Sequence, residues 1–340
     1  MAVLIEEALA TVKAAAHLSR AQSREVFALI MTGQCEPGLM AEFLTALAAK
    51  GETADEIAGA ADVMNEHVTR VRCDAECIDT CGTGGDGIST FNVSTAAAVM
   101  AAAAGATVAK HGNRTNTRVS GSAEAVAELG VNLDAPVPVL ERCLRECRIA
   151  FLYAPNLHPA MRHAAPVRKR LGIRTIFNLL GPLTNPAGAK RQLLGVPRPE
   201  LTATLADVLA ARGAVHAWVV HAHCGLCDLT ITGPTRVTEV KAGRVRTFEI
   251  HPADVGFTPA PLEALLVTSP AQSASAIRAI LSGQDRGPRR DHALLNAGAA
   301  LVVAGLAADL PAGVARAAHA VDAGQALDTL DRLVAASHAS

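Results

Sequence analysis

The N-terminal stretch of roughly 70 residues places apolar side chains three and four positions apart, with charged residues between them. This spacing predicts amphipathic helices over residues 16–31, 37–50 and 54–68, separated by Gly33 and Gly51. Each helix would present one apolar stripe that needs a partner surface. The pattern therefore predicts a small all-helical lobe.

From residue 78 the pattern changes to short apolar runs that alternate with helical stretches. The predicted strands cover residues 77–80, 107–109, 150–153, 193–196 and 217–221. The predicted helices among them cover residues 96–104, 123–129, 139–147, 159–171 (broken or kinked at Pro166) and 201–212. The tail from Ala276 is helical again, with breaks near Gly287 and Pro311. This alternation is typical of an α/β lobe with a predominantly parallel central sheet covered by helices.

Composition narrows the class of protein. The chain has 340 residues, half of them hydrophobic, and can bury the cores of two lobes. A net charge of −1 and an aromatic content of 3% argue against nucleic acid as a partner. No signal peptide and no long uncharged apolar run is evident, so we expect a soluble, cytoplasmic protein that contacts no membrane. In that compartment the eight cysteines are expected to be reduced thiols.

One stretch combines glycines, hydroxyls and positive charge. A predicted strand leads into a glycine loop at residues 82–87 (GTGGDG), where bare backbone N–H groups can approach an anion. Ser94 or Thr95 is predicted to cap the following helix and to aim its positive end at the same place. The next loop returns with Lys110, His111 and Arg114. Two such loops around one anion predict a phosphate site.

The same glycines match the dinucleotide pattern G-x-G-x-x-G at Gly82, Gly84 and Gly87. That fingerprint opens directly into a helix and is followed, about 20 residues later, by an acidic residue for the ribose. Here polar residues precede the helix, and residues 101–110 contain no carboxylate. We therefore favour a phosphate site over a nicotinamide site.

Seven blocks, in order along nearly the whole chain, resemble the signature sequences of the anthranilate phosphoribosyltransferase family of tryptophan biosynthesis. They are GTGGD (82–86), NVST (92–95), KHGNR (110–114), GS (121–122), HPAMRH (158–163), PVR (166–168) and RTIFNLLGPLTNP (174–186).

The resemblance implies transfer of the phosphoribosyl group of phosphoribosyl pyrophosphate (PRPP) to the amine of anthranilate, with Mg²⁺ as cofactor. It also implies a helical lobe of residues 1–72, to which residues 159–186 return. The large lobe, residues 73–158 and 187–340, would carry the PRPP site. Two copies would form a homodimer through the helical lobe.

Carried over by block, the resemblance assigns three sets of site residues. The implied PRPP contacts are Gly82, Gly85, Asp86, Thr90, Asn92, Ser94, Thr95, Lys110, Arg118 and Ser122. The implied anthranilate contacts are Gly82, His111, Asn113 and Arg168, and Lys110, Asn113 and Arg168 are the implied catalytic residues. His158 and His163 are either part of the acceptor channel or structural residues. Asn178 and Asn185 are interpreted as turn and lobe-linking residues.

The metal block departs from the family pattern. A Gly-Leu-Asp-Glu block is expected after the strand at 217–221, but the chain has Gly-Leu-Cys-Asp, with Cys227 and Asp228 in the acidic positions. The implied metal residues are Ser94, Asp228 and Cys227, and Cys227 stands in the place of the family's Asp although Mg²⁺ prefers oxygen to sulfur. A second hypothesis groups His221, His223, Cys224 and Cys227 as a soft-metal or redox-sensitive site.

The loop at 115–119 departs as well, because Arg118 adds a bulky cation where the family has small residues and serines. Four alternatives stay open: an enzyme of the same fold for another aromatic amine, a catalytically impaired homologue, a binding protein, and a nucleoside phosphorylase that uses free phosphate.

Overall fold

The structure is a computed structural model that describes residues 2–115 and 117–339. It begins with four helices: α1 (Ala2–Lys13), α2 (Arg20–Met31), α3 (Pro37–Lys50) and α4 (Ala54–Glu66). Helix α2 starts four residues later than predicted because Ser19 and Gln22 form a capping box, in which each side chain accepts the other residue's backbone N–H. Helix α1 was not predicted.

The described part of the large lobe is built on a seven-stranded sheet with the order β3-β2-β1-β4-β5-β6-β7. The strands are β1 (Cys77–Gly82), β2 (Thr107–Gly112), β3 (Ile149–Tyr153), β4 (Arg191–Gly195), β5 (His216–Ala222), β6 (Thr235–Lys241) and β7 (Arg244–Ile250). The first five pair in parallel, which confirms the α/β class and the five predicted strands.

The two antiparallel strands β6 and β7 were missed. Strand β7 is largely exposed, so it lacks the apolar run that marks the buried strands. A turn signal was present at Ala242 and Gly243, which both have positive φ (49° and 75°).

Strand β1 lies between β2 and β4. The strands β2 and β3 therefore extend the sheet on one side of β1, and β4 and β5 extend it on the other side. In parallel sheets, a crevice forms outside the carboxyl ends of the strands at such a switch point. Gly82 and Gly195 are paired there, at the ends of β1 and β4.

Helices lie on both faces of the sheet, and α9 and α10 pack with the N-terminal helices instead. The helices after α4 are α5 (Val93–Ala103), α6 (Ser122–Glu128), α7 (Val137–Glu146), α8 (Ala154–Leu157), α9 (Ala165–Leu171), α10 (Phe177–Leu180), α11 (Glu200–Ala211), α12 (Pro270–Leu281), α13 (Pro288–Val303), α14 (Leu310–Asp322) and α15 (Gln325–His338). Short 3₁₀ segments cover Pro159–His163, Gly181–Leu183, Pro252–Val255 and Leu262–Leu265. The predicted helix at 159–171 is thus broken before Pro166, which occupies the first turn of α9.

Two apolar clusters form the core. One joins α5 and α12–α15 to one face of the sheet. The other joins the N-terminal helices to α11 and the opposite face, and it includes Val167 and Phe177. Phe177 contacts Phe27 edge to face at 5.6 Å between ring centroids. Residues around 160–183 therefore pack with the N-terminal helices, while the division of the chain at residue 72 stays a prediction. Among the described residues, no helix is long and apolar enough to cross a membrane.

We predict that Gly313→Ala lowers the free energy of unfolding. A Cβ at Gly313 would lie 2.4 Å from the carbonyl oxygen of Gly298, where α13 and α14 cross. Relief of that overlap is expected to cost about 1–3 kcal/mol, measured by denaturant unfolding. Gly233→Ala is the control, since nothing lies within 4 Å of its Cβ position. Equal stability of the two variants would contradict the prediction.

Candidate active site

The glycine loop follows β1 at the switch point. Gly84, Gly85 and Gly87 have φ values of 61°, 91° and 71°, a region that other residues rarely adopt. Gly85 has a second constraint, because its Cβ would fall 1.4 Å from an Nη atom of Arg174. Arg174 also donates to the carbonyl oxygen of Gly84 at 3.2 Å. The loop is thus shaped by a residue that the sequence analysis did not assign to the site.

The start of α5 faces the same crevice, but its cap differs from the prediction. Asn92 is the N-cap, and its Oδ1 accepts the backbone N–H of Thr95 at 3.1 Å. Ser94 and Thr95 lie inside the first turn, so the prediction that one of them caps the helix is wrong. An N-cap side chain bonds to the N–H two or three residues on, which Asn92 reaches and Ser94 does not.

Lys110 is the buried cation of the site. Its Nζ donates to the carbonyl oxygen of Thr80 at 2.6 Å and to Oγ of Ser94 at 3.0 Å. Burial lowers the pKa of Lys110, and the negative charge of Asp79 opposes this shift. The ammonium group therefore lies between the end of β1 and the first turn of α5, where an anion would meet both.

Asp79 holds this arrangement from below. Its carboxylate accepts the backbone N–H of His111 at 3.0 Å and Nδ2 of Asn185 at 2.9 Å. Asn185 donates also to the carbonyl oxygen of Ala109 at 2.8 Å. Burial raises the pKa of Asp79 to about 6. Asn185, interpreted from the sequence as a linking residue, thus orients the two strands that carry the site.

His111 and His158 form a buried pair with 3.1 Å between their Nε2 atoms. Nδ1 of His111 lies 3.0 Å from the carbonyl oxygen of Gly181, which only accepts, so Nδ1 carries the proton of His111. His158 is then the donor between the two rings. Burial lowers the pKa of His111 to about 3 and that of His158 to about 4, so both are neutral at pH 7.

Arg168, on α9, is a half-buried cation that stacks on Phe177 with Cζ 5.2 Å from the ring centroid. In residues 2–115 and 117–339 no carboxylate pairs with it, and burial lowers its pKa. Asn113 has internal partners instead: its Oδ1 accepts the N–H of Arg114 at 2.7 Å, and its carbonyl oxygen accepts Oγ of Ser122 at 3.3 Å.

Known families and proteins resemble this chain over most of its length. A family described as "Glycosyl transferase family, a/b domain" matches residues 74–327, and one described as "Glycosyl transferase family, helical bundle domain" matches residues 6–68. The anthranilate phosphoribosyltransferase of Chloroflexus aggregans is 51% identical over 334 residues, which cover 98% of each chain. The solved structure of that enzyme from Thermus thermophilus is 41% identical, with a TM-score of 0.91 over 98% of this chain and 99% of that chain.

This chain belongs to the anthranilate phosphoribosyltransferase family. The family predicted from the sequence is thereby confirmed. A Saccharomyces cerevisiae anthranilate phosphoribosyltransferase, solved in complex with PRPP and Mg, is 29% identical, with a TM-score of 0.85 over 94% of this chain and 93% of that chain.

Cys227 and Asp228 form the wall of the crevice opposite α5. They line one pocket together with Ser94 and with Thr80, whose carbonyl oxygen accepts from Lys110. Burial raises the pKa of the Cys227 thiol to about 12, so at pH 7 it is protonated and carries no charge for a metal. Burial raises the pKa of Asp228, and the charges of Arg118 and Lys110 oppose this. Asp228 and Ser94 both line this pocket and carry oxygen, the donor atom that Mg²⁺ prefers.

The soft-metal hypothesis is wrong for the described chain, in which no cluster of three or more His, Cys, Asp or Glu residues could hold a metal. Nδ1 of His221 lies 3.0 Å from the carbonyl oxygen of Val196. His223 pairs with Glu249 at 2.9 Å, on β7. Each histidine is held by a local partner, and the side chains do not converge.

The remaining predicted residues surround the crevice. Asp86 forms an ion pair with Arg118. The hydroxyl of Thr90 is buried without a hydrogen-bond partner in the described residues, and Gly82 ends β1. Asn116, in the loop that departs from the family, lies outside the described residues.

We predict that Asp79→Asn changes the pH dependence of stability. The folded-state pKa of about 6 lies above the ordinary value of 3.8, so the contribution of Asp79 is full below pH 3.8 and is lost as the pH rises through 6. The free energy of unfolding of the variant minus that of wild type should therefore rise by about 2–3 kcal/mol as the pH increases from 4 to 7, measured by urea unfolding. The exposed Asp207→Asn is the control, and parallel curves for Asp79→Asn and wild type would refute the assignment.

Proposed function

We propose that the switch-point crevice is where this chain binds PRPP and anthranilate. As a member of its family, the chain transfers the phosphoribosyl group of PRPP to the amine of anthranilate, which yields N-(5-phosphoribosyl)anthranilate and pyrophosphate. The observation that carries the placement is the convergence of the glycine loop, the first turn of α5 and the Lys110 ammonium at one edge of the sheet. Backbone N–H groups, a helix start and a cation together favour phosphate.

The phosphates of PRPP would lie against these groups. Gly84, Gly85 and Gly87 allow close backbone approach, and the first turn of α5 supplies N–H groups and the Ser94 hydroxyl. Lys110 is already desolvated, so its charge acts strongly on an anion. The Thr90 hydroxyl, which has no hydrogen-bond partner in the part of the chain that the structure describes, adds a donor near the loop. Ser122 and Asn92 remain predicted contacts.

Two observations support Mg²⁺ as the cofactor. Ser94 and Asp228 provide oxygen donors in one pocket, and the yeast relative was solved in complex with PRPP and Mg. When bound, it would neutralise charge on the leaving pyrophosphate. The bond between C1 of the ribose and the pyrophosphate oxygen breaks and its electron pair leaves on pyrophosphate. The lone pair of the anthranilate nitrogen forms the new bond to C1, and that nitrogen then loses one proton to water. Lys110 and the glycine loop would hold the leaving group in place while charge develops on it.

Anthranilate would be held by its carboxylate. Arg168 offers a planar guanidinium that has no acidic partner among the described residues and that stacks on Phe177. This arrangement suits two parallel hydrogen bonds to a carboxylate. The relative solved with 4-fluoroanthranilate supports an aromatic acid in this family's site. His111 and His158 are neutral, so they would act on the acceptor by hydrogen bonding. The amine of anthranilate is unprotonated at pH 7 and needs no strong base.

The test is consumption of anthranilate fluorescence with PRPP and Mg²⁺, and with free phosphate or another aromatic amine as comparisons. Loss of fluorescence only with PRPP supports the proposal. No loss with PRPP, or an equal rate with another amine, would overturn it.

We predict that Arg168→Ala raises the KM for anthranilate by about 10- to 100-fold, because a bidentate charged contact of about 1.5–3 kcal/mol is lost. Arg168→Lys keeps the charge but loses the planar fork, and it should recover only part of that loss. Steady-state kinetics with each substrate varied gives both values. Lys169→Ala, an exposed neighbour, is the control. A change confined to the KM for PRPP would contradict the assignment.

The assembly and location are further proposals. The amphipathic N-terminal helices support a homodimer through the helical lobe, expected by light scattering at twice the 35.0 kDa of one chain. We also propose a cytoplasmic location.

A further inference from the structure

Arg118 is a largely buried cation in the loop that departs from the family pattern. Its side chain is 12% exposed, and that of its partner Asp86 is fully buried. Nε of Arg118 donates to Oδ1 of Asp86 at 2.5 Å, and an Nη atom contacts Oδ2 of the same carboxylate. The fork-to-fork pair fixes the plane and position of the guanidinium.

The same carboxylate also fixes where the guanidinium lies in the site. Oδ2 of Asp86 accepts the backbone N–H of Cys227 at 3.1 Å, so one oxygen joins Arg118 to the wall that carries Cys227 and Asp228. Arg118 thus presents an oriented guanidinium, paired with the Asp86 carboxylate, beside the pocket.

The wall next to Arg118 provides oxygen for one hard cation only. Sulfur at Cys227 is a soft donor that Mg²⁺ does not select. Asp86 is already paired with Arg118, which leaves Asp228 as the wall's free carboxylate: within the ranges 2–115 and 117–339 it has neither an ion pair nor a hydrogen bond. Pyrophosphate carries several negative charges, so one divalent ion leaves part of that charge without a partner.

We propose that Arg118 supplies the second positive charge at the pyrophosphate end of the site, so that this chain works with a single Mg²⁺ per PRPP. Asp86 occupies Nε and one Nη of the guanidinium, and the remaining N–H donors are available to a phosphate oxygen. Asp86 is then a positioning residue for Arg118. This inference rests on the proposed function, since it takes PRPP as the ligand.

The experiment compares wild type, Arg118→Ala, Arg118→Lys, Cys227→Asp and the double variant Arg118→Ala/Cys227→Asp. PRPP binding is measured by calorimetry without anthranilate at saturating Mg²⁺, and bound Mn²⁺ is counted by electron paramagnetic resonance in the presence of PRPP. Arg198→Ala removes an exposed positive charge outside the pocket and is the control.

We expect wild type to bind one Mn²⁺ per chain. Arg118→Ala should bind PRPP at least about tenfold more weakly, as expected for the loss of a charged hydrogen-bonding contact. Arg118→Lys should recover part of the affinity. In the double variant an oxygen ligand replaces sulfur, so the number of Mn²⁺ ions bound per chain should rise to two. Its PRPP affinity should return to that of wild type and should depend more steeply on the Mg²⁺ concentration.

Two results would overturn the inference. Two Mn²⁺ ions in wild type would remove the need for a second charge. Unchanged or tighter PRPP binding by Arg118→Ala would show that Arg118 is only a structural or blocking contact. Failure of the proposed function is separate: if wild type binds no PRPP, titration of wild type and Arg118→Ala with pyrophosphate and Mn²⁺ still decides whether Arg118 holds the anion.

Discussion

The burial of Lys110 is the constraint on which the site depends. An ammonium group this far from water needs compensating partners, and Asp79, the Thr80 carbonyl and Ser94 provide them. Asp79 is itself buried and in turn requires the N–H of His111 and the amide of Asn185. Each polar group is thus satisfied by the next, and the chain of contacts fixes the ends of β1 and β2 relative to the first turn of α5.

Residues of a single stretch of chain contact both the glycine loop, which would hold phosphate, and the residues that would hold the acceptor. Arg174 supports the glycine loop, Gly181 fixes the tautomer of His111, and Asn185 holds Asp79. These three lie within a short stretch of chain that also contributes Phe177, the ring beneath Arg168. This stretch packs into the cluster of the N-terminal helices. A shift of the helical lobe would therefore move the acceptor groups and the support of the phosphate loop together.

Sequence reasoning succeeded where the signal is local. The five buried parallel strands were identified from short apolar segments that alternate with helical stretches, and the glycine loop from its closely spaced glycines. It failed where partners are distant in the chain. Arg174 and Asn185 interact with residues 90 and 106 positions away, so no local pattern marks them. The exposed strand β7 lacks apolar alternation strong enough to be detected, and His223 finds its partner, Glu249, on that strand. The Asn92 cap was within reach, because Asn is among the strongest N-cap residues.

The pairing of Arg118 with Asp86 has a chemical consequence for how the leaving group is held. A metal ion arrives with its substrate and exchanges its water ligands, whereas a guanidinium fixed by a buried carboxylate is present and oriented before binding. Binding of the leaving group through this preorganised guanidinium depends less on free Mg²⁺. Unlike a metal ion, however, the guanidinium cannot leave the site together with pyrophosphate. Arg118 therefore favours retention of the product anion, and its pairing with Asp86 limits this because the carboxylate already accepts hydrogen bonds from Nε and one Nη of the guanidinium. Cys227, neutral and buried, fits this arrangement because a carboxylate in its place would compete with Asp86 for the same cation.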